Sequence, residues 1–252
     1  MKDMRDFIAA CEEKGVLKRI TAEVDTHLEL SHIAKLNEEA QGPALLFENC
    51  KGYDSPVITS AATTVQRLAI IMGEPEESSL TSLYGVWAEK AKNPIPPVYV
   101  DKSKAPCKEN IMMGDDVDLN IFPIPHYYPL DGGKYYGTAH FIITKDPDSG
   151  WVNLGTYRSQ LLGKDKIGTQ FIKGKHADIM LKKYQALGKP MPCASISGCD
   201  PILFLLGAAR VGAFTSEYDV AGAFRGEAIE VVKGEVVDLP IPAHAEIVVE
   251  GY

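Results

Sequence analysis

Hydrophobic positions repeat with two different periods along the first third of the chain. Met4, Phe7, Ile8 and Cys11 recur at helical spacing and share one face, and Gly15 can end that helix. Residues 16–24 (VLKRITAEV) alternate apolar and polar like a half-buried strand. Residues 28–40 (LELSHIAKLNEEA) return to the helical period and stop at Gly42. Strands follow at 44–49 and 56–61, and helices at 63–72 and 79–92. Strands alternating with helices predict a small α/β domain. The run Asn93-Pro94-Ile95-Pro96-Pro97 breaks the pattern and reads as a linker or domain edge.

From about residue 135 the pattern turns to β. Residues 138–146, 151–158 and 169–174 read as strands, and DPDSG (146–150) joins the first two as a hairpin. Helices are expected at 176–187, at 201–210 with Asp200 as cap and Pro201 at its first position, and at 216–224. Strands are expected at 227–232 and 245–251. The fold class is therefore α+β. An N-terminal α/β domain would occupy residues 1–110, and a β-rich, barrel-like domain residues 111–252.

Composition narrows the function classes. The 252 residues are 45% hydrophobic and 24% charged, which is ordinary globular usage. A net charge of −8 argues against a general nucleic-acid role, because phosphate binding needs a basic surface. The most apolar run, residues 201–214, is too short to span a membrane and contains Arg210. The five cysteines are odd in number and form no CxxC pair, which suggests reduced thiols in a cytoplasmic protein. The first residues carry acids throughout and do not form a signal or transit peptide.

The stretch WVNLGTYR (151–158) raises the chemical question. A strand that carries Asn153, breaks at Gly155 and closes on Arg158 reads either as a kinked edge strand or as a bulge near a ligand. A bulge at Gly155 would bring Asn153 and Arg158 to one side. Asn153, His176 and Glu217 each sit at an element end, where sites usually form. Their mixed oxygen and nitrogen donors suit Mn²⁺ or Mg²⁺ better than a thiophilic metal. Each also has a plainer role: a strand kink, a helix cap, an acid favouring a helix dipole. They are far apart in sequence and form no local metal signature. Glycine-rich stretches with cations at 132–138 and 173–176 offer diffuse support for phosphate binding. No GxGxxG, P-loop, GxSxG or HExxH motif is present.

Residues 127–158 (YYPLDGGKYYGTAHFIITKDPDSGWVNLGTYR), 174–176 (GKH) and 216–252 occur in an order and spacing that resemble the UbiD family of decarboxylases. The last block closes on IPAHAEIVVEG (241–251). The resemblance implies a split β-barrel of the flavin-reductase-like kind as the second domain, binding prenylated FMN. It implies Asn153, His176 and Glu217 as ligands of Mn²⁺ (or Mg²⁺), accompanied by K⁺. Arg158 would be the catalytic residue that pairs with the substrate carboxylate, as a guanidinium fork suits. Thr138 and the backbone of Gly155, Thr156 and Tyr157 would border the flavin, and Lys175 would face its phosphate. The implied reaction is reversible decarboxylation of an aromatic or α,β-unsaturated carboxylic acid, with phenolic acids suggested by PLDGGKYYGT. A flavin prenyltransferase would supply the cofactor, and the full-length protein would form a homo-oligomer. In the family an acid–base pair of glutamates follows the AEIVxEG strand, whereas this chain stops at Tyr252. The expectation is a truncated or split form, inactive alone, with the family's C-terminal domain absent or supplied by a partner chain. Two alternatives remain: a catalytically inert flavin-binding subunit, and a plain FMN-dependent reductase.

Overall fold

The structure, a computed structural model, describes all 252 residues. The chain opens with α1 (Met4–Glu13), β1 (Leu17–Ile20), α2 (Glu29–Glu39), β2 (Ala44–Phe47), β3 (Val57–Thr59), α3 (Val65–Met72) and α4 (Leu80–Lys90). Asp3, Thr64 and Ser79 cap α1, α3 and α4 by accepting from Asp6, Arg67 and Ser82 backbone N–H groups. β1 and β2 pair in parallel across α2, and β3 returns antiparallel to β2. This is the alternation expected from the sequence. Its own small core is Val24, Leu30, Leu45, Phe47 and Cys50.

The rest of the chain contributes β4 (Val98–Tyr99), β5 (Tyr135–Gly137), β6 (Phe141–Lys145), β7 (Val152–Gly155), β8 (Ser159–Gly163) and β9 (Lys166–Thr169). There follow α5 (His176–Ala186), β10 (Cys193–Ser197), α6 (Pro201–Ala208), α7 (Glu217–Arg225), β11 (Glu230–Lys233), β12 (Pro240–Pro242) and β13 (Ile247–Gly251). They build three further sheets, ordered β13-β10-β6-β7, β12-β11-β4 and β5-β8-β9. The fold is mixed α+β, and each sheet is open, with no closed barrel among its hydrogen bonds.

Two expectations are corrected. The strand placed at 169–174 lies earlier: β8 and β9 form a hairpin around Lys164–Asp165, and Thr169 is the last paired residue. Residues 173–174 then turn, with Gly174 at φ 86°, to deliver the chain into α5. The second correction concerns Gly155. The β6–β7 register is continuous from Lys145↔Val152 to Ile142↔Gly155, so no bulge is present. The strand simply ends at Gly155, and after three residues the chain enters a different sheet at Ser159. The central strand β10 escaped sequence reading because CASIS is short and its alternation rests on small residues around a single Ile196.

The main core of 28 buried residues crosses the boundary expected near residue 110. Phe7, Cys11 and Ile71 from the first part share it with Phe141, Leu154, Ile196, Leu206, Tyr218 and Val231. The proline-rich run 93–97 is also held in place. The Ile95 N–H donates to the Asp219 carbonyl at 2.8 Å, and a Cβ on Gly222 would collide with the Ile95 carbonyl. At the far end of α7, Arg225 Nε donates to Asp200 Oδ2 at 2.6 Å and Nη1 donates to the Ile71 carbonyl at 2.9 Å. Nη2 takes the other Asp200 oxygen. The Arg225 and Asp200 side chains are only 7% and 4% exposed. Asp200 also caps α6, so one bidentate pair ties α7, α6 and α3 together. Arg225→Ala leaves a buried carboxylate without its partner and is expected to cost about 3–5 kcal/mol. Urea unfolding of the variant checks this, and a loss below about 1 kcal/mol would show that the pair does not hold these helices.

Candidate functional site

Alternation along β6, β7 and β10 sorts their side chains onto two faces. Phe141, Ile143, Leu154, Ala194 and Ile196 enter the main core. Their register partners place Thr144 beside Asn153, and Ile142 beside both Gly155 and Ser195, on the opposite face. Asn153, Thr144 and Ser195 are all buried there. The Nδ2 of Asn153 and the hydroxyls of Thr144 and Ser195 have no hydrogen-bond partner. One sheet therefore has a dry face and a polar face.

Three of the expected residues converge at the β7 end of this sheet. His176 is the first residue of α5, and its Nδ1–H donates to Asn153 Oδ1 at 2.7 Å. The helix cap is Lys175, without a side-chain bond, so His176 does not serve as the cap. Glu217 is the first residue of α7, behind the Ser216 cap, and is 3% exposed. Its Oε2 accepts the Leu154 backbone N–H at 2.7 Å. β7 is the last strand of its sheet, so this carboxylate satisfies an edge amide that no strand covers. No lysine, arginine or histidine forms an ion pair with Glu217. Burial pushes its pKa up to about 7, against the opposing effect of the Leu154 N–H. Burial also lowers the pKa of His176, which favours the neutral imidazole, whose free ring nitrogen carries a lone pair.

Trp151 is a supporting residue that the sequence did not single out. Its ring lies 4.7 Å from the His176 ring at 70°, and its Nε1–H donates to the Thr215 carbonyl at 3.1 Å. It thus links His176 to the loop that ends at Glu217.

The remaining expected residues lie around this cluster. The Tyr157 hydroxyl accepts from Ala177 N–H at 3.3 Å, and its ring sits against Gly155 so closely that a Cβ there would overlap it. The glycine therefore makes room for Tyr157. Thr156 has a buried hydroxyl with no partner. Arg158 is exposed, with its guanidinium carbon 5.7 Å from the Tyr135 ring centroid and no carboxylate in ion-pair range. Thr138 is exposed and shares a 2.7 Å hydrogen bond with the Tyr127 hydroxyl. Lys175 is exposed beside His176. No recorded contact joins Thr138, Lys175 or Arg158 to the Asn153–His176–Glu217 cluster.

The donor set fits a hard divalent cation. A neutral amide, a neutral imidazole and a buried carboxylate without a counter-charge are the donors such an ion accepts, and the cation would offset the charge that burial opposes. No group of three His, Cys, Asp or Glu side chains converges anywhere in the chain. A metal held here would therefore need Asn153 among its ligands.

His140 was also missed from the sequence. It is 1% exposed, and burial lowers its pKa to about 4. An unfolded histidine titrates near 6.5. Between these values the folded state binds fewer protons than the unfolded one. The stability this group contributes is complete above about pH 6.5 and falls away as the pH drops toward 4, by roughly 3 kcal/mol in all. His140→Gln should remove that part of the slope. Urea unfolding of both proteins at pH 7 and pH 4.5 measures it, and parallel losses would contradict the assignment.

Comparison with known proteins places this chain in a family. The sequence pattern described as the 3-octaprenyl-4-hydroxybenzoate carboxy-lyase Rift-related domain matches residues 98–252, and that enzyme's N-terminal domain pattern matches residues 8–85. The closed form of vanillic acid decarboxylase from Sedimentibacter hydroxybenzoicus superposes with a TM-score of 0.95 at 31% identity, over 100% of this chain and 54% of that one. The UbiD-class enzyme HmfF from Pelotomaculum thermopropionicum, solved in complex with FMN, gives 0.91 at 34% identity, over 99% and 54%. The apo 3,4-dihydroxybenzoic acid decarboxylase of Klebsiella pneumoniae gives 0.88 at 28% identity, over 100% and 54%. The chain thus spans about half the length of these structures. Two family patterns in sequence order and close superposition along the whole chain show that it belongs to the UbiD family.

Proposed function

We propose that this chain is the cofactor-holding part of a UbiD-class carboxy-lyase. The reaction would be reversible decarboxylation of an aromatic or α,β-unsaturated carboxylic acid, and the cofactor prenylated FMN with Mn²⁺ (or Mg²⁺) and K⁺. The observation that carries the reading is the cluster at the β7 edge: Glu217 buried without a counter-charge one residue along from Asn153, which is bonded to His176. Support for the flavin comes from HmfF, which has been solved with FMN and, in an evolved dimeric form, with prFMN. The vanillic acid and 3,4-dihydroxybenzoic acid decarboxylases favour a phenolic acid as substrate.

In this reading Asn153, His176 and Glu217 would hold the metal, and Lys175 would face the flavin phosphate. Thr138 and the Gly155–Tyr157 backbone border the flavin. The split-barrel cradle would be formed by the β13-β10-β6-β7 and β5-β8-β9 sheets, joined through the Thr156–Arg158 turn. The modified flavin, when bound, supplies an electrophile that accepts the electron density left when CO₂ departs. Arg158 is free of any carboxylate of its own and is available to pair with that of the substrate. Tyr157, packed against Gly155 and bonded to Ala177 N–H, holds the turn that carries Arg158. The proton donor is assigned to no residue of this chain. Turnover is thus proposed for the larger protein, or for an assembly in which a second chain or copy completes the site, with a flavin prenyltransferase as cofactor source. The chain division at residues 1–110 and 111–252 is part of this proposal.

Native mass spectrometry with metal analysis tests the site directly. Asn153→Ala and Glu217→Gln should lose Mn²⁺ and bound flavin together, whereas Arg158→Ala should keep both and lose CO₂ release by the complete enzyme, by about a hundredfold or more. Flavin binding that ignores both metal-site variants, with NADH oxidation in the absence of metal, would favour a plain reductase. Cofactor retained with no CO₂ release in any assembly would favour an inert flavin-binding subunit.

A further inference from the structure

The Arg158 side chain is exposed, so its aim depends on the backbone of the turn between β7 and β8. That turn rests on a closed set of buried hydroxyl and imidazole groups. Ser159 Oγ lies 3.1 Å from the Tyr157 carbonyl, 3.1 Å from Thr169 Oγ1 and 3.2 Å from His140 Nε2. A carbonyl only accepts, so the single Ser159 hydroxyl proton goes to Tyr157. Ser159 Oγ must then accept from its other two neighbours, the Thr169 hydroxyl and His140 Nε2–H. With the Ser159 proton on Tyr157, the imidazole is assigned the Nε2–H tautomer. Nδ1 is left bare, and it is the ring atom that is buried without a partner. The neighbouring strand is shaped around the ring. A Cβ at Gly137 would overlap His140, and the β5–β8 register shifts between Tyr135 and Gly137.

We propose that His140 is a positioning residue for Arg158. By donating to Ser159 it holds the hydroxyl that locks the Tyr157 carbonyl, and so sets the direction in which the guanidinium leaves the sheet. The functional half of this inference rests on Arg158 as the carboxylate-binding residue, while the structural half stands without it.

The test measures amide hydrogen exchange of residues 156–160 and binding of benzoate, the simplest aromatic carboxylate, in the purified protein. His140→Ala should speed exchange in that segment and weaken benzoate about fivefold, the equivalent of one hydrogen bond. His140→Gln, whose amide nitrogen can stand where Nε2 does, should restore both. Should the alanine variant fold poorly, Ser159→Ala removes the same bond with the ring still buried, and should reproduce its effects. Normal exchange in these variants, or a glutamine variant as defective as alanine, overturns the inference. Arg158→Ala separates the two claims. If it binds benzoate as well as the wild type, Arg158 is not the carboxylate clamp, and hydrogen exchange alone then decides whether His140 holds the turn.

Discussion

The arrangement of the site depends on one hydrogen bond, from the Leu154 amide to the Glu217 carboxylate. β7 is the edge of its sheet, and an edge amide facing away from water needs an acceptor. A helix could close that edge with apolar side chains, but the amide would then be orphaned. α7 instead presents its first residue, an acid, where the helix N-terminus favours negative charge. The bond fixes the start of α7 against β7. Through Trp151 and the Thr215 carbonyl, the same contact braces the His176 ring. The cost is a carboxylate that burial pushes to a pKa of about 7. Such a group would gain from any cation placed beside it, which is the physical basis of the metal site proposed here.

The helices and the first sheet were legible from the sequence because periodicity and capping agree there. Thr64 and Ser79 stand where α3 and α4 begin, and Leu30 and Ile33 of α2, three residues apart, pack in the cluster that holds Phe47. The β-rich half was less legible for identifiable reasons. β10 is central, but it is five residues long and only Ile196 is a large apolar residue, so its alternation is too short to stand out. β9 was displaced because Thr-Gln-Phe-Ile looks more like a strand than Lys-Ile-Gly-Thr, whereas the Lys164–Asp165 turn decides the pairing. Gly155 resembled a bulge. The register shows a strand end whose missing side chain is replaced by the Tyr157 ring.

The convergence of Asn153, His176 and Glu217 was legible only through the resemblance to a family. Their donor types suited a hard cation, but no local spacing linked them, because their separation in sequence is closed by three different elements. His140 and Trp151 gave even less. Both look like ordinary core or strand residues, and their roles arise from hydrogen bonds to backbone carbonyls and serine hydroxyls that no pattern records. Supporting residues of this kind are the hardest to read from a sequence, since they touch other protein groups and have no chemistry of their own.

The two halves of the site solve opposite problems with the same sheet. At the Glu217 end, a carboxyl is buried without a counter-charge, and burial raises its pKa to about 7. At the Arg158 end, charge is left in solvent and the groups beneath it are neutral. His140 is held unprotonated by burial, and the hydroxyls of Ser159 and Thr169 satisfy one another. If Arg158 binds a carboxylate as proposed, an acid beneath the turn would compete for its guanidinium and a lysine would repel it. A neutral hydrogen-bonded support fixes the backbone without altering the field around Arg158. A histidine held neutral by burial meets that requirement.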